Sequence, residues 1–256
     1  HFVISKEQHA SMLRMIDRGV EITLKLSLNV KFHENPNYNT NIIAEISGTD
    51  PSLGKQLVLV GGHFDSYHSG TGAADNGAGS ATNMEAIRIL QALDIKPRRT
   101  IRLVLWGGEE QGFRGSLGYI EKYVGDIFSG EDKGELGLIS VYFNHDNNGH
   151  KIRGILVQGN EAIRPIFEGY FEPFHNVGAK TVTIEFGCCT DNVGFDALNI
   201  PAYSWIQDPE QYFTTQIHTN MDVVDYVSEN TLKHNAAIIA AFVYQSAMRD
   251  EMMPRR

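Results

Sequence analysis

Cysteine is nearly missing from this chain of 256 residues: only Cys188 and Cys189 occur, and they are adjacent. Neighbouring Cα atoms across a trans peptide stand ~3.8 Å apart, too close for an ordinary bridge. The pair therefore reads as two free thiols, with a strained vicinal disulfide as the alternative, and neither state identifies a compartment. Long apolar runs are missing too. The stretch from Ala236 to Tyr244 falls far short of the ~20 residues that span a bilayer and reads as one buried helix. Positive charge is in deficit, with 22 Lys and Arg against 31 Asp and Glu and a net charge of −9. That balance argues against nucleic acid or an anionic membrane as the main partner. Repeats, low-complexity stretches and domain linkers are absent, so residues 1–256 read as a single domain. The chain opens on His1-Phe2-Val3 with neither an initiator Met nor a signal peptide, which reads as a processed or trimmed product.

What is present is patterned. Ser5 with Gln8 three residues on makes a capping box, Met12, Leu13 and Ile16 a helical stripe, and Gly19 a stop. Val20, Ile22, Leu24, Leu26, Leu28, Val30 and Phe32 alternate with mostly polar neighbours, which predicts a long strand with one buried face. Asn41 to Ile46 reads as its antiparallel neighbour. From Leu57 the pattern changes to short apolar runs: Leu57 to Val60, Ile101 to Trp106 with Arg102 inside it, and Ile139 to Phe143 with Ser140. A helix lies between the first two, with Met84, Ile87, Leu90 and Leu93 on one face. Val182 to Phe186 and Ala202 to Ile206 read as further strands, and a helix capped by Ser228 runs from about Glu229 to Met248. Alternating helices and apolar strands predict an α/β fold with an open, mixed but mainly parallel central sheet flanked by helices on both faces.

In such sheets ligands bind beyond the carboxyl ends of the strands, and the polar residues of this chain collect there. The first apolar strand ends in His63-Phe64-Asp65-Ser66, followed by a loop holding Asp75-Asn76-Gly77-Ala78-Gly79. The second ends in Glu109-Glu110, the third in Asn144-His145-Asp146, and His218-Thr219-Asn220-Met221-Asp222 follows the last. So many carboxylates at one sheet edge repel one another unless cations are present. Carboxylates with imidazoles suit zinc, or less specifically manganese or cobalt. The lack of thiolates at these positions fits an open catalytic site better than a closed structural one.

His63-Phe64-Asp65-Ser66, Asp75 to Gly79, Glu109-Glu110-Gln111-Gly112 and His218-Thr219 resemble the co-catalytic zinc exopeptidases, a family that includes secreted bacterial aminopeptidases, glutamate carboxypeptidases and carboxypeptidase Q. The resemblance runs from about Asn41 to the C-terminal helix. It implies two Zn2+ ions, other divalent transition metals being possible, and a peptide or dipeptide substrate cut at a terminal bond by a hydroxide held between the ions. His63 and Asp146 would complete one metal site and Glu110 and His218 the other, with Asp75 bridging them. Asp65 would orient the His63 imidazole, and Glu109 would act as general base. The resemblance also implies a cis peptide between Asp75 and Asn76 and export to the periplasm or exterior.

Each residue also has a plainer reading. His63 taken alone is a core histidine, Glu109-Glu110 a solvated helix start, and Asn144 to Gly149 a turn. His145, His150, His175 and His234 compete as ligands. Asp191 resembles the family's acidic loop beside the specificity pocket, while Tyr203, Trp205 and Tyr212 are explained as well by core packing as by an oxyanion role. Many relatives of the resembled family carry an inserted protease-associated domain, usually before the segment that begins here; it is absent from these residues. Arg114 and Arg153 are the basic residues nearest the motifs, and neither is well placed to bind a substrate carboxylate, so aminopeptidase or dipeptidase action is favoured over carboxypeptidase action. The rival readings are a glutaminyl-cyclase-like acyltransferase with one zinc, a non-catalytic binding module, and a purely structural metal site.

Overall fold

A computed structural model describes residues 4–31, 40–146, 149–209 and 211–256. In chain order its elements begin with α1 (Lys6–Ile16), β1 (Ile42–Ile46), β2 (Leu57–His63), α2 (Ala78–Ala92), β3 (Thr100–Trp106) and α3 (Arg114–Tyr119). They continue with β4 (Ile139–Asn144), β5 (Ile152–Leu156), α4 (Arg164–Phe171), β6 (Thr181–Thr183), α5 (Asn192–Ala197), β7 (Ala202–Gln207) and α6 (Glu229–Met248).

The apolar runs β2, β3 and β4 are buried along nearly their whole length because both faces of the sheet are covered. Val58 and Val60 of β2 face one way, onto Ala86, Ile87 and Leu90 of α2 and Ile238, Ile239 and Phe242 of α6. Leu57 and Leu59 face the other way, onto a cluster with Trp106, Tyr119 and Phe195. The sheet has seven strands in the order β1-β3-β2-β4-β7-β5-β6. Strands β3, β2, β4 and β7 are mutually parallel; β1 joins β3 antiparallel, and β5 joins β7 antiparallel with β6 parallel to β5. The sheet is the mixed, mainly parallel one expected.

The chain steps from β2 to β3 on one side and then returns to β4 on the other, so the strand order reverses at β2. Crevices at such reversals are where open α/β sheets bind ligands. Gly62 lets the two strands close up there, since a Cβ on it would lie 2.2 Å from the carbonyl oxygen of His145.

Several local expectations are corrected. The alternating segment from Val20 is not a strand: Leu24, Leu26, Leu28 and Val30 are all more than 60% exposed, and no strand lies beside it among the described residues. Alternation marks a face that can be buried, but a strand needs a neighbour to bond to and a layer to lie against. Phe32, the last of the alternating residues, lies outside the described residues. β1 accordingly pairs with β3 instead, Ala44 opposite Leu103. In α2 the buried stripe runs through Asn83, Ala86, Ile87 and Leu90, while Met84 and Leu93 are exposed. The strand read at Val182 to Phe186 is the shorter β6, and Phe186 is exposed. Ser5 caps α1 by accepting from the Gln8 amide; Ser228 stands at the N-cap of α6 but makes no capping hydrogen bond. No described helix is long and apolar enough to cross a membrane.

Candidate metal centre

His63 is the last residue of β2, and its position is fixed from three sides. Asn76 Nδ2 and Ser80 Oγ donate to its carbonyl, and its Nδ1 lies 3.0 Å from the carbonyl oxygen of Asp65. With Nδ1 so engaged, Nε2 is left for a ligand. That nitrogen lies 3.0 Å from Asp75 Oδ1 and 3.1 Å from Asp146 Oδ1. His218, from the loop between β7 and α6, points its Nε2 to within 3.1 Å of Glu110 Oε2 and 3.5 Å of Asp75 Oδ2. Two three-residue groups result, His63–Asp75–Asp146 and Asp75–Glu110–His218, each with donor atoms within 4.8 Å of one another. Asp75 gives one oxygen to each. A further set of His63, Glu109 and Glu110 is equally close, so Glu109 stands beside both groups.

Asp75 sits in a turn over Ala73–Gly77 that departs from helical geometry at Asp75 and Asn76, and the peptide between those two is cis, as the resemblance implies. The turn is pinned by Asp222, whose carboxylate accepts from the Ala74 amide at 2.6 Å and the Asp75 amide at 3.1 Å. Tyr212 donates its hydroxyl to Asp75 Oδ2 at 2.9 Å, and Tyr67 stacks on the His218 ring with centroids 4.2 Å apart. The Asp65 carboxylate stands 3.7 Å from His63 Nδ1 and also accepts from the Glu109 amide at 3.0 Å and the Glu110 amide at 3.3 Å. It thus fixes the backbone of the two glutamates while facing the imidazole, whose Nδ1 also meets the Asp65 carbonyl.

The electrostatics are those of a site that lacks positive charge. Burial, and then the nearby Asp146, push the Glu109 carboxyl up to about 9; burial and then Asp75 push Glu110 up to about 8. For His63, burial opposes the charged form, but the carboxylates of Asp146, Asp65 and Asp75 outweigh it and raise the imidazolium well above its usual range. Oxygen Oε1 of Glu110 is buried with no hydrogen-bond partner. Two imidazoles and three carboxylates, one of them with an orphaned oxygen, form a donor set that fits divalent zinc-like ions.

Asp75, Glu109, Glu110, Asp146 and His218 wall a cleft of about 590 Å³, lined also by Phe113, Cys188, Cys189, Thr190, Phe213 and Ile217. No Lys or Arg lines it among the described residues. Arg114 is exposed and bonds the Gln111 carbonyl, and Arg153 pairs with Asp208. The rival histidines fall elsewhere. His145 is buried against Gln207, His234 faces the Ile152 carbonyl, and neither joins a group of candidate ligands; nor do His68, His150 and His175. Asp191 is fully buried, accepts from the Ser116 hydroxyl, and is pushed by burial up to about 7. Sequence reasoning gave Asp222 and Tyr67 no role and left Tyr212 open between core packing and an oxyanion role. Only the spacing of Asp222, four residues after His218, offered a signal.

Comparison with known proteins gives concordant results. Residues 41–243 match Peptidase family M28. Human carboxypeptidase Q is 30% identical over 253 residues, which is 98% of this chain and 50% of that protein. Among solved structures, a peptidase M28 precursor from Shewanella amazonensis SB2B superposes with a TM-score of 0.74 at 28% identity, covering 84% of this chain and 46% of that one. An aminopeptidase from Aneurinibacillus sp. strain AM-1 superposes at 0.66 with 25% identity, covering 84% and 51%. The chain spans about half the length of the curated relatives it matches.

Proposed function

The chain belongs to Peptidase family M28, and from that premise we propose that it is a metal-dependent exopeptidase that removes residues from the amino end of peptides or splits dipeptides. The observation that carries this reading is the pair of ligand groups sharing Asp75, with Glu109 beside both. His63, Asp75 and Asp146 would hold one divalent cation, and Asp75, Glu110 and His218 the other. When bound, two such ions lower the pKa of water and polarise a carbonyl.

The protein's own groups supply the rest. Glu109 is held at the cleft with its amide fixed by Asp65, and its carboxylate accepts the proton of the attacking water and delivers it to the departing amine. Burial among acids keeps that carboxyl protonated; nearby positive charge returns it to the range where it both takes and gives a proton. Tyr212, through Asp75, and Tyr67, against His218, hold two proposed ligands in place. A cleft rich in acids and without Lys or Arg among its described lining residues suits a substrate's free ammonium group and offers nothing to its carboxylate.

The test joins metal analysis to a panel of aminoacyl amides, dipeptides and N-blocked peptides. The reading expects two zinc ions per chain and hydrolysis only where the amine is free. Full metal loading with no hydrolysis, or equal hydrolysis of N-blocked peptides, contradicts it.

A further inference from the structure

One wall of the cleft carries a feature that neither the ligand groups nor Glu109 uses. Cys188 and Cys189 line the cleft, and both are exposed. Their segment is anchored at each end by buried partners. Gln158 Nε2 donates to the Gly187 carbonyl at 2.9 Å and Asn144 Nδ2 to Thr190 Oγ1 at 2.9 Å, while Asp191 is bonded to Ser116. Between the anchors Cys189 has φ +70°, a left-handed conformation that side-chain-bearing residues rarely adopt. The segment is thus a short, firmly held turn that presents two thiols to the space a substrate enters.

The two thiols touch, yet they are poorly placed to bridge each other. The Cys189 thiol is raised above its ordinary range, first by its hydrogen bond with Cys188. The only cis peptide among the described residues is Asp75–Asn76, so the Cys188–Cys189 peptide is trans. It holds the Cα atoms ~3.8 Å apart, below the usual span of a disulfide. An oxidising encounter therefore favours an external partner over ring closure.

We propose that the Cys188–Cys189 pair is a thiol–disulfide exchange site on the cleft wall, at which a small-molecule disulfide forms a mixed disulfide with Cys188 and the adduct blocks substrate entry. Cys188 loses its proton and its sulfur attacks one sulfur of the reagent. A bond from Cys188 Sγ to that sulfur forms, the reagent's S–S bond breaks, and the leaving thiolate takes up a proton. Cys188 is oxidised to the disulfide level while the released half of the reagent is reduced to a thiol. Any free thiol reverses the step, so the modification is a reversible stop. Blockage of turnover rests on the peptidase reading; the site of modification does not.

The test treats the zinc-loaded protein with glutathione disulfide and follows it by intact mass, peptide mapping and hydrolysis of an aminoacyl amide. One glutathionyl adduct per chain on Cys188 is expected. Hydrolysis falls in proportion to the fraction of chains modified and returns with dithiothreitol, and Cys188→Ser keeps its untreated activity and resists the reagent. No adduct, an adduct with unchanged hydrolysis, or equal inactivation of Cys188→Ser/Cys189→Ser overturns the proposal. Should the untreated protein hydrolyse nothing, the peptidase reading fails on its own. The peptide map then decides alone: a glutathionyl adduct on Cys188 upholds the exchange site, and its absence there overturns it.

Discussion

Glu109 and Glu110 are adjacent, and the division of labour proposed for them depends on where each points. Glu110 faces His218 and Asp75, while Glu109 stands between the groups with its amide tied to Asp65. Glu109→Gln is expected to keep both metal ions and the thermal midpoint but to lower kcat/KM by about 10²–10⁴, the usual weight of a general acid–base. Steady-state kinetics with metal analysis checks this, and a variant that retained turnover would remove Glu109 from the mechanism. Asp191 makes a separate pH prediction. Burial lifts its carboxyl to about 7 from an ordinary 3.8, so the folded state binds a proton that the unfolded state releases. Its contribution is complete below the ordinary value and is lost as pH rises through about 7. In chelator-treated protein the midpoint of Asp191→Asn relative to the native chain should therefore climb between pH 4 and pH 8; melting curves that stay parallel across that range would contradict it. At this scale the candidate ligands were legible, because His63, Asp75, Glu110, Asp146 and His218 each follow a strand or sit in a recognisable motif. Asp222 and Tyr212 were not, since what they do depends on contacts 147 and 137 residues away in sequence.

Among the elements, the strands that position the site were legible and the supporting pieces were not. β2, β3 and β4 announce themselves as apolar runs, broken only by single polar residues at Arg102 and Ser140, because two covered faces leave few polar positions. β5 does not, as Arg153 and Gly154 interrupt it, and the six-residue α3 and α5 are too short to show a stripe. The segment from Val20 shows the opposite failure: a clear alternation with no strand beside it among the described residues. The turn bearing Asp75 is held from another element altogether, by Asp222 in the loop before α6. Asp222→Ala leaves two buried amides without an acceptor, which costs about 1–3 kcal/mol each and releases the ligand that both groups share. Metal affinity should fall about 10–100-fold, as it does when ligand-supporting contacts are lost; chelator competition measures it. Lost stability with unchanged metal affinity would mean that Asp222 serves the fold alone.

For the whole molecule, the sheet brings acids from the ends of β2, β3 and β4, and Asp222 from a distant loop, to one crevice, and each would disfavour the charge of the others. On the proposed function, cations at that edge would offset the repulsion, which joins the architecture to the proposed chemistry. We propose further that residues 1–256 form a single metallopeptidase catalytic domain, of which residues 41–243 match the family. The central claim is that two cations share Asp75. Anomalous diffraction from crystals of the zinc-loaded protein tests it most directly. The account predicts two peaks, one among His63, Asp75 and Asp146 and the other among Asp75, Glu110 and His218. A single peak, or a second one away from Asp75, would contradict it.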